Sequence, residues 1–360
     1  MIVTTTLGAV NGSTVDGVER FVEVPYAAST AGANRFRGPQ PREPWDGVRD
    51  CTTWSTRTPQ YPDPGVLRTP QQWFAIQGSN YAHGMGEDCL TLTVWTPAVD
   101  AEARPVVVWI HGGGYTVGHA ASEMSDGANF AARHRAVFVS VTHRLNAFGF
   151  LHLERLGGED YTGSGNAGLL DIVTALEWIR DNIGAFGGDP GSVTVVGESG
   201  GGGKVSTLLV MPAADGLIHR AVCESGIALK ASTPEESEDY ARALIAELGG
   251  EDVSVLRSAT MQEVLDAQVR LEAADPGLVR PRPVIDGTVI TAAPRDTWAA
   301  GLGSAIPVLA GTIRDEVSVF GPDDLPLGQE LPPWYARPSG PPSSDGPLFD
   351  RDGGLRDLGW

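Results

Sequence analysis

Gly197-Glu198-Ser199-Gly200-Gly201 sets a serine between glycines in the pattern G-x-S-x-G. Residues 193–196, Val-Thr-Val-Val, read as a buried strand just before it, and residues 202–211 read as the start of a helix just after it. A strand, a sharp turn and a helix would hold the Ser199 hydroxyl at a helix N-terminus, at the top of a sheet, as the nucleophile of an acyl transfer. The flanking glycines are required because a side chain there would clash at so tight a turn. A serine hydroxyl needs a base to take its proton and a carboxylate to orient that base. In strand–turn–helix nucleophile sites the chain order is Ser, then Asp or Glu, then His. The chain has seven histidines and the last is His219, so none occupies the stretch where the base belongs.

A second motif points to the same chemistry. His111-Gly112-Gly113-Gly114-Tyr115 directly follows an apolar run at residues 106–110. Acyl transfer creates an oxyanion, which needs N–H donors fixed in place before the reaction. Glycines let the backbone approach a substrate carbonyl closely. Gly113 and Gly114, with the N–H of Gly200, are the expected donors. Either motif alone would be read as a tight turn; their order, each after a strand, argues for a site.

The elements that must position these groups alternate. Apolar, β-branched runs at residues 106–110, 137–141, 193–196, 220–223 and 307–310 read as strands buried on both faces. Residues 168–183 carry Leu169, Ile172, Val173, Leu176 and Ile179 on one helical face. Thr233-Pro234-Glu235-Glu236 and Thr260-Met261-Gln262-Glu263 each carry a capping-box start for a helix. Strands alternating with helices imply an α/β architecture with a mainly parallel sheet covered on both faces. Residues 18–24 and 90–95 alternate among Pro and Gly and read as an N-terminal antiparallel edge. Residues 321–360 are rich in Pro and Gly without a sustained period and read as an irregular tail after a domain of residues 1–320.

Composition narrows the class. A chain of 360 residues with 41% apolar content can bury a large core. No apolar run approaches membrane-spanning length and no signal peptide is visible, so no membrane partner is expected. Three cysteines (Cys51, Cys89 and Cys223) are too few and too odd a number for a disulfide framework, which makes a cytoplasmic setting the default expectation. A formal charge of −19 argues against nucleic acid as a partner. The Asn11-Gly12-Ser13 sequon stands alone as a hint of secretion. No Cys or His spacing of ligand type occurs, so neither a metal nor an organic cofactor is expected.

Taken together, the chain resembles the type-B carboxylesterase family, which includes the cholinesterases. The resemblance runs in order through Phe21-Val22-Glu23-Val24-Pro25-Tyr26-Ala27, Arg35-Phe36-Arg37-Gly38-Pro39-Gln40-Pro41 and Glu87-Asp88-Cys89-Leu90-Thr91-Leu92. It continues through Trp109-Ile110-His111-Gly112-Gly113-Gly114, Arg144-Leu145, Phe148-Gly149-Phe150-Leu151, Gly165-Asn166, Gly168-Leu169-Leu170-Asp171, Phe186-Gly187-Gly188-Asp189-Pro190 and Gly197-Glu198-Ser199. It implies an α/β-hydrolase fold and a small-molecule ester as substrate. Ser199 would be the nucleophile, and Gly113, Gly114 and Gly200 the oxyanion donors. Glu316, in Gly311-Thr312-Ile313-Arg314-Asp315-Glu316, would be the triad acid, with Asp315 the neighbour to exclude. Glu198 and Tyr115 are candidate substrate contacts, and Trp73 and Phe74 candidate gorge linings. The hormone-sensitive-lipase-like esterases share His-Gly-Gly-Gly but lack the Glu-Asp-Cys-Leu and Phe-Gly-Gly-Asp-Pro runs.

The departures from the family pattern are as telling. Family members are longer, and the missing length falls largely after Phe320. Glu330-Leu331-Pro332-Pro333-Trp334 follows almost at once, and Leu327 stands at the position matching the triad histidine. An internal deletion that removed several core elements and the base together is the simplest account. It leaves three readings: an impaired esterase, a catalytically dead esterase-like binding protein, or a truncated reading frame without function. Apolar surface exposed by the deletion would favour a homodimer. Cys89 lacks its family disulfide partner, because the upstream Cys-Pro-Gln run is Thr58-Pro59-Gln60 here, and is expected as a buried thiol. Gly200 stands where the family usually has alanine, a change expected to be mild.

Overall fold

The computed structural model describes residues 1–61 and 83–313. Asp315, Glu316, Leu327, Trp73, Phe74 and the tail 321–360 lie outside the described residues. Met1–Thr312 forms one compact unit; of the second, Ile313–Trp360, only the first residue is described.

The described strands, in chain order, are β1 (Ile2–Thr4), β2 (Ala9–Asn11), β3 (Ser13–Val15), β4 (Val18–Pro25), β5 (Val48–Asp50), β6 (Thr56–Arg57) and β7 (Gly84–Met85). They continue with β8 (Thr91–Thr96), β9 (Arg104–Ile110), β10 (Val137–Val141), β11 (Gly188–Glu198), β12 (Arg220–Glu224) and β13 (Val308–Gly311). Eight of them form one sheet in the order β13-β12-β11-β9-β10-β8-β4-β3. Neighbours from β13 through β10 pair in parallel, whereas β8, β4 and β3 add on antiparallel. The antiparallel edge and the parallel centre thus lie where the sequence places them. The chain runs from β9 outward to β10 and then crosses back to β11 on the other side of β9. That reversal puts the C-terminal ends of β9 and β11 side by side, the place where sheets of this kind open a crevice for ligands.

Helices follow the apolar periodicity. Ala167–Asn182 buries Leu169, Ile172, Leu176 and Ile179 against Val106, Val108, Ile110 and Val195 of the sheet. Pro234–Glu247 and Met261–Ala274 both start with a complete capping box, at Thr233 with Glu236 and at Thr260 with Glu263. These two helices pack on each other around Tyr240, Leu244 and Leu265, in a second cluster with Phe148 and Leu151.

One expectation is corrected. Of the five apolar runs read as strands buried on both faces, only β10 is buried along its whole length. In β9 and β11 burial alternates, so Val107, Trp109, Thr194 and Val196 form a half-exposed face. β13 is mostly exposed, with Leu309 69% accessible. Among the described residues β13 ends the sheet and has a neighbour on one side only, so a continuous apolar run there does not guarantee cover.

Two buried ion pairs tie the layers together. Arg144 places Nε 2.8 Å and Nη2 2.6 Å from the two Asp171 carboxylate oxygens, and its own N–H donates to Asp171 at 3.0 Å. Arg35 pairs with Glu87 and also donates to the carbonyl of Leu256 at 3.1 Å. Removing one partner of such a pair strands the other charge in a low-dielectric interior. Asp171→Asn is therefore expected to cost about 3–5 kcal/mol of stability, read from the midpoint of urea unfolding against the parent chain.

Candidate active site

Ser199 closes β11 and caps the helix Gly200–Leu208, with φ 54° and ψ −122°. A non-glycine residue at positive φ is strained, by of the order of 1–3 kcal/mol, and such strain clusters at functional sites. The turn is held from both sides by main chain. The Ser199 N–H donates to the Glu224 carbonyl at 2.7 Å, and its carbonyl accepts from the Gly203 N–H at 3.0 Å. β-Carbons added at Gly197 and Gly201 would lie 2.3 Å from Gly201 C and 2.1 Å from the Ile110 carbonyl oxygen, so neither position can carry one.

The loop 111–118 leaves the end of β9, whose Ile110 is in register with Gly197 of β11. It turns with Gly113 at φ +87° and Gly114 at φ +61° and lies directly on the elbow. A β-carbon at Gly112 would lie 2.7 Å from Glu198 Oε2 and 3.5 Å from Ser199 Cβ. One at Gly200 would lie 2.4 Å from both Gly114 Cα and its carbonyl oxygen. No group among the described residues accepts from the N–H of Gly113, Gly114 or Gly200. Three donors are thus gathered beside the serine with their hydrogen-bonding capacity unspent.

Two side chains pin this loop. Gln60 donates to the Gly118 carbonyl at 3.0 Å and accepts from the Gly118 N–H at 3.1 Å. Lys204 donates to the Gly114 carbonyl at 2.7 Å. Both are long-range partners that sequence reasoning missed. The signal for Lys204 was its place in a glycine-rich, otherwise apolar helix; for Gln60 only the Thr58-Pro59-Gln60 run was visible. Tyr115 stacks edge-on to Phe150 with ring centroids 5.2 Å apart, and burial raises its phenol to about 12. Glu198 is half-buried and lines a cavity of about 40 Å³, room for a water or two, with His111, Gly112, His119, Ser122 and Ser125.

No imidazole among the described residues is hydrogen-bonded to Ser199. His111 is buried, and its Nδ1 lies 2.9 Å from the Gly112 carbonyl, so Nδ1 carries the proton and Nε2 is left buried without a partner. His143 packs against it at 4.5 Å between ring centroids. His219 Nδ1 accepts from the Val193 N–H at 3.3 Å, just ahead of β12 and at the opposite end of the sheet from the elbow. Cys51, Cys89 and Cys223 are free and buried, and burial raises each thiol to about 12. No group of residues among those described has the makings of a metal site.

With the geometry in place, the comparisons are direct. The Carboxylesterase family model matches residues 1–330, and the chain belongs to that family. Para-nitrobenzyl esterase of Bacillus subtilis (strain 168) is 37% identical over 324 residues, covering 89% of this chain and 63% of its own. Phenmedipham hydrolase of Pseudarthrobacter oxydans is 36% identical over 317 residues, covering 87% and 61%. Among solved structures, Geobacillus stearothermophilus carboxylesterase EST55 at pH 6.2 superposes with a TM-score of 0.78 at 36% identity, over 89% of this chain and 62% of that one. A thermophilic pNB esterase gives a TM-score of 0.81 at 36% identity, over 90% and 65%. The fold is that of these α/β-hydrolases. The chain spans roughly three fifths of the length of the bacterial relatives it matches.

The contact at Gly200 bears on the reverse change, alanine placed at a position where this chain has glycine. In a helix first turn Ala would ordinarily gain up to about 1 kcal/mol over Gly. Here its methyl meets main chain at 2.4 Å, and overpacking of that kind costs about 1–3 kcal/mol. Gly200→Ala is expected to lower the urea-unfolding free energy, not to raise it.

The buried imidazoles make a second prediction. Burial pulls His111 and His119 down to about 3, with further lowering from Lys204 and His83 respectively. In the unfolded chain they titrate near the ordinary value, so the unfolded state binds more protons between about pH 6.5 and 3. The contribution of these two histidines to stability is therefore full above pH 6.5 and is lost as pH falls through that window. In His119→Gln the slope of unfolding free energy against pH between 6 and 4 should be shallower by up to about 1.4 kcal/mol per pH unit.

Proposed function

We propose that this chain is a carboxylic ester hydrolase that works through a Ser199 acyl-enzyme. The observation that supports the reading is the close approach of the 112–114 loop to a strained serine at a helix N-terminus, with no acceptor among the described residues for the N–H groups of Gly113, Gly114 and Gly200. Ser199 Oγ attacks the ester carbonyl of a small substrate and the three donors take the oxyanion. The Ser199 proton goes to the leaving oxygen, the alcohol departs, and water then releases the acid and restores the hydroxyl. Glu316 is the carboxylate assigned to orient a base, and Glu198 and Tyr115 border the acyl site.

The base itself is the weak link. His219 is the last histidine in the sequence, Leu327 stands at the matching position, and no described imidazole reaches Ser199. Loss of the histidine from such a triad costs of the order of a millionfold in turnover, with about 10³ over water left to the donors and binding. Turnover is accordingly impaired. The same observation favours a second reading, an esterase-like protein that binds esters or partners without cleaving them. Three free, buried thiols support a reducing, cytoplasmic setting. The exposed Val308 and Leu309 on β13 support pairing with another copy of the chain.

The test offers purified protein p-nitrophenyl acetate and butyrate beside Ser199→Ala, and labels both with a fluorophosphonate. Slow, Ser199-dependent release with weak labelling is the expected result. Identical rates for the two proteins with no labelling would leave the binding reading in its place.

A further inference from the structure

Lys204 is one of two lysines in the chain, and its side chain is fully buried. Its Nζ donates to the carbonyls of Gly114 at 2.7 Å and His111 at 3.4 Å, and lies 5.5 Å from the centroid of the Tyr115 ring. An ammonium out of water is among the costliest groups a fold can bury unless strong acceptors surround it. Here the acceptors belong to the loop that carries the candidate donors. The two anchored carbonyls bracket the two peptide groups that bear the Gly113 and Gly114 N–H. Gly200 and Lys204 are four residues apart on one helix and so share a face. One end of that face touches Gly114 through the missing β-carbon, and the other holds it through the ammonium.

We propose that Lys204 is a positioning residue that draws the loop 111–114 onto the elbow and aligns its N–H groups with that of Gly200. Its catalytic consequence rests on the acyl-transfer reading; the clamp itself does not. The clamp is also sensitive to pH, because burial pulls the ammonium down to about 7. The titratable groups that feel its charge are His111 and His143, both held neutral by burial, and the Tyr115 phenol faces it. Glu198 on β11, Glu224 on β12 and Asp171 on the neighbouring helix supply no counter-charge; burial alone sets its shift. As pH rises through about 7 the ammonium becomes an amine and its hold on the two carbonyls weakens.

The experiment is hydrogen exchange over residues 110–118 in the full chain and in Lys204→Met, from pH 6 to 8, corrected for intrinsic rates. At pH 6 the loop should exchange at least about tenfold faster in the variant, with β9 and β10 unchanged. Protection of the loop in the parent chain should fall through pH 7 and be flat in Lys204→Met. Fluorophosphonate labelling adds a kinetic split: the inactivation rate constant should drop about 10- to 100-fold, as for small misplacements of catalytic groups, with probe affinity within about twofold. The melting temperature at pH 6 should not fall, because the variant removes a buried charge. Equal loop exchange in the two proteins overturns the clamp, and so does faster exchange spread over the whole sheet. If Lys204→Met does not fold, the parent's pH series decides alone, and protection that stays level across pH 7 overturns the proposal. A parent chain that never labels sinks the hydrolase reading while the exchange result still stands.

Discussion

Main chain packed against main chain is the constraint on which this structure turns. At the elbow, Gly201 abuts the Ile110 carbonyl and Gly200 abuts Gly114. Gly226 sits so close that a β-carbon on it would fall 1.9 Å from the Ser199 carbonyl oxygen. The loops after β9 and β12 and the helix after β11 therefore meet through their backbones, with no side chains between them. Such contacts bring N–H groups within reach of one another, which side chains of any size would prevent. They also leave little freedom, because a displacement at one segment is transmitted to the other two. The positive φ at Ser199 is tolerated only because this surrounding backbone over-determines it.

Among the residues that carry the family resemblance, two groups stand out by what they touch. Ser199 and the glycines of residues 112–114 form the elbow and its facing loop. Arg35, Glu87, Arg144 and Asp171 lie in two buried ion pairs whose guanidinium groups also cap carbonyls far away in sequence, at Leu256 and at Arg37. Their geometry is that of struts. Both carboxylates are used up by arginines, which leaves neither as an acid–base partner for the serine. The sheet end that presents Ser199 is positioned by these struts and by the apolar face of Ala167–Asn182.

How much of this was legible follows from where the information lies. The elbow, the glycine loop and both capping boxes are local patterns, in which a few consecutive residues state the geometry, and each stands where the sequence placed it. Burial of β13 was illegible because an apolar run cannot announce whether a neighbour covers it. The clash at Gly200 was illegible because it depends on a loop 86 residues earlier. The same holds for Gln60 and Lys204: each is polar and buried and bonds the main chain of a loop distant in sequence, and no periodicity encodes such a partner. Long-range polar satisfaction is the part of a site that folding creates and a single sequence conceals.

Electrostatics at the elbow are mixed. Around Ser199, three N–H groups, a helix N-terminus and, behind the loop, a buried ammonium are donors or cations, whereas the Glu198 carboxylate is an anion. On the proposed reading the donors favour negative charge on a substrate oxygen. No imidazole among the described residues is bonded to Ser199, and burial lowers His111, His119 and His143, which makes each a weaker base. A single oxyanion donor is worth about 10²–10³ in rate, whereas the base of a serine triad is worth about 10⁶. The two contributions act on different atoms, so donors for the oxyanion do not take over removal of the hydroxyl proton. On the proposed reading, the elbow supplies the oxyanion side of an acyl transfer from main chain alone, with the Glu198 carboxylate lying against the loop that carries two of the donors.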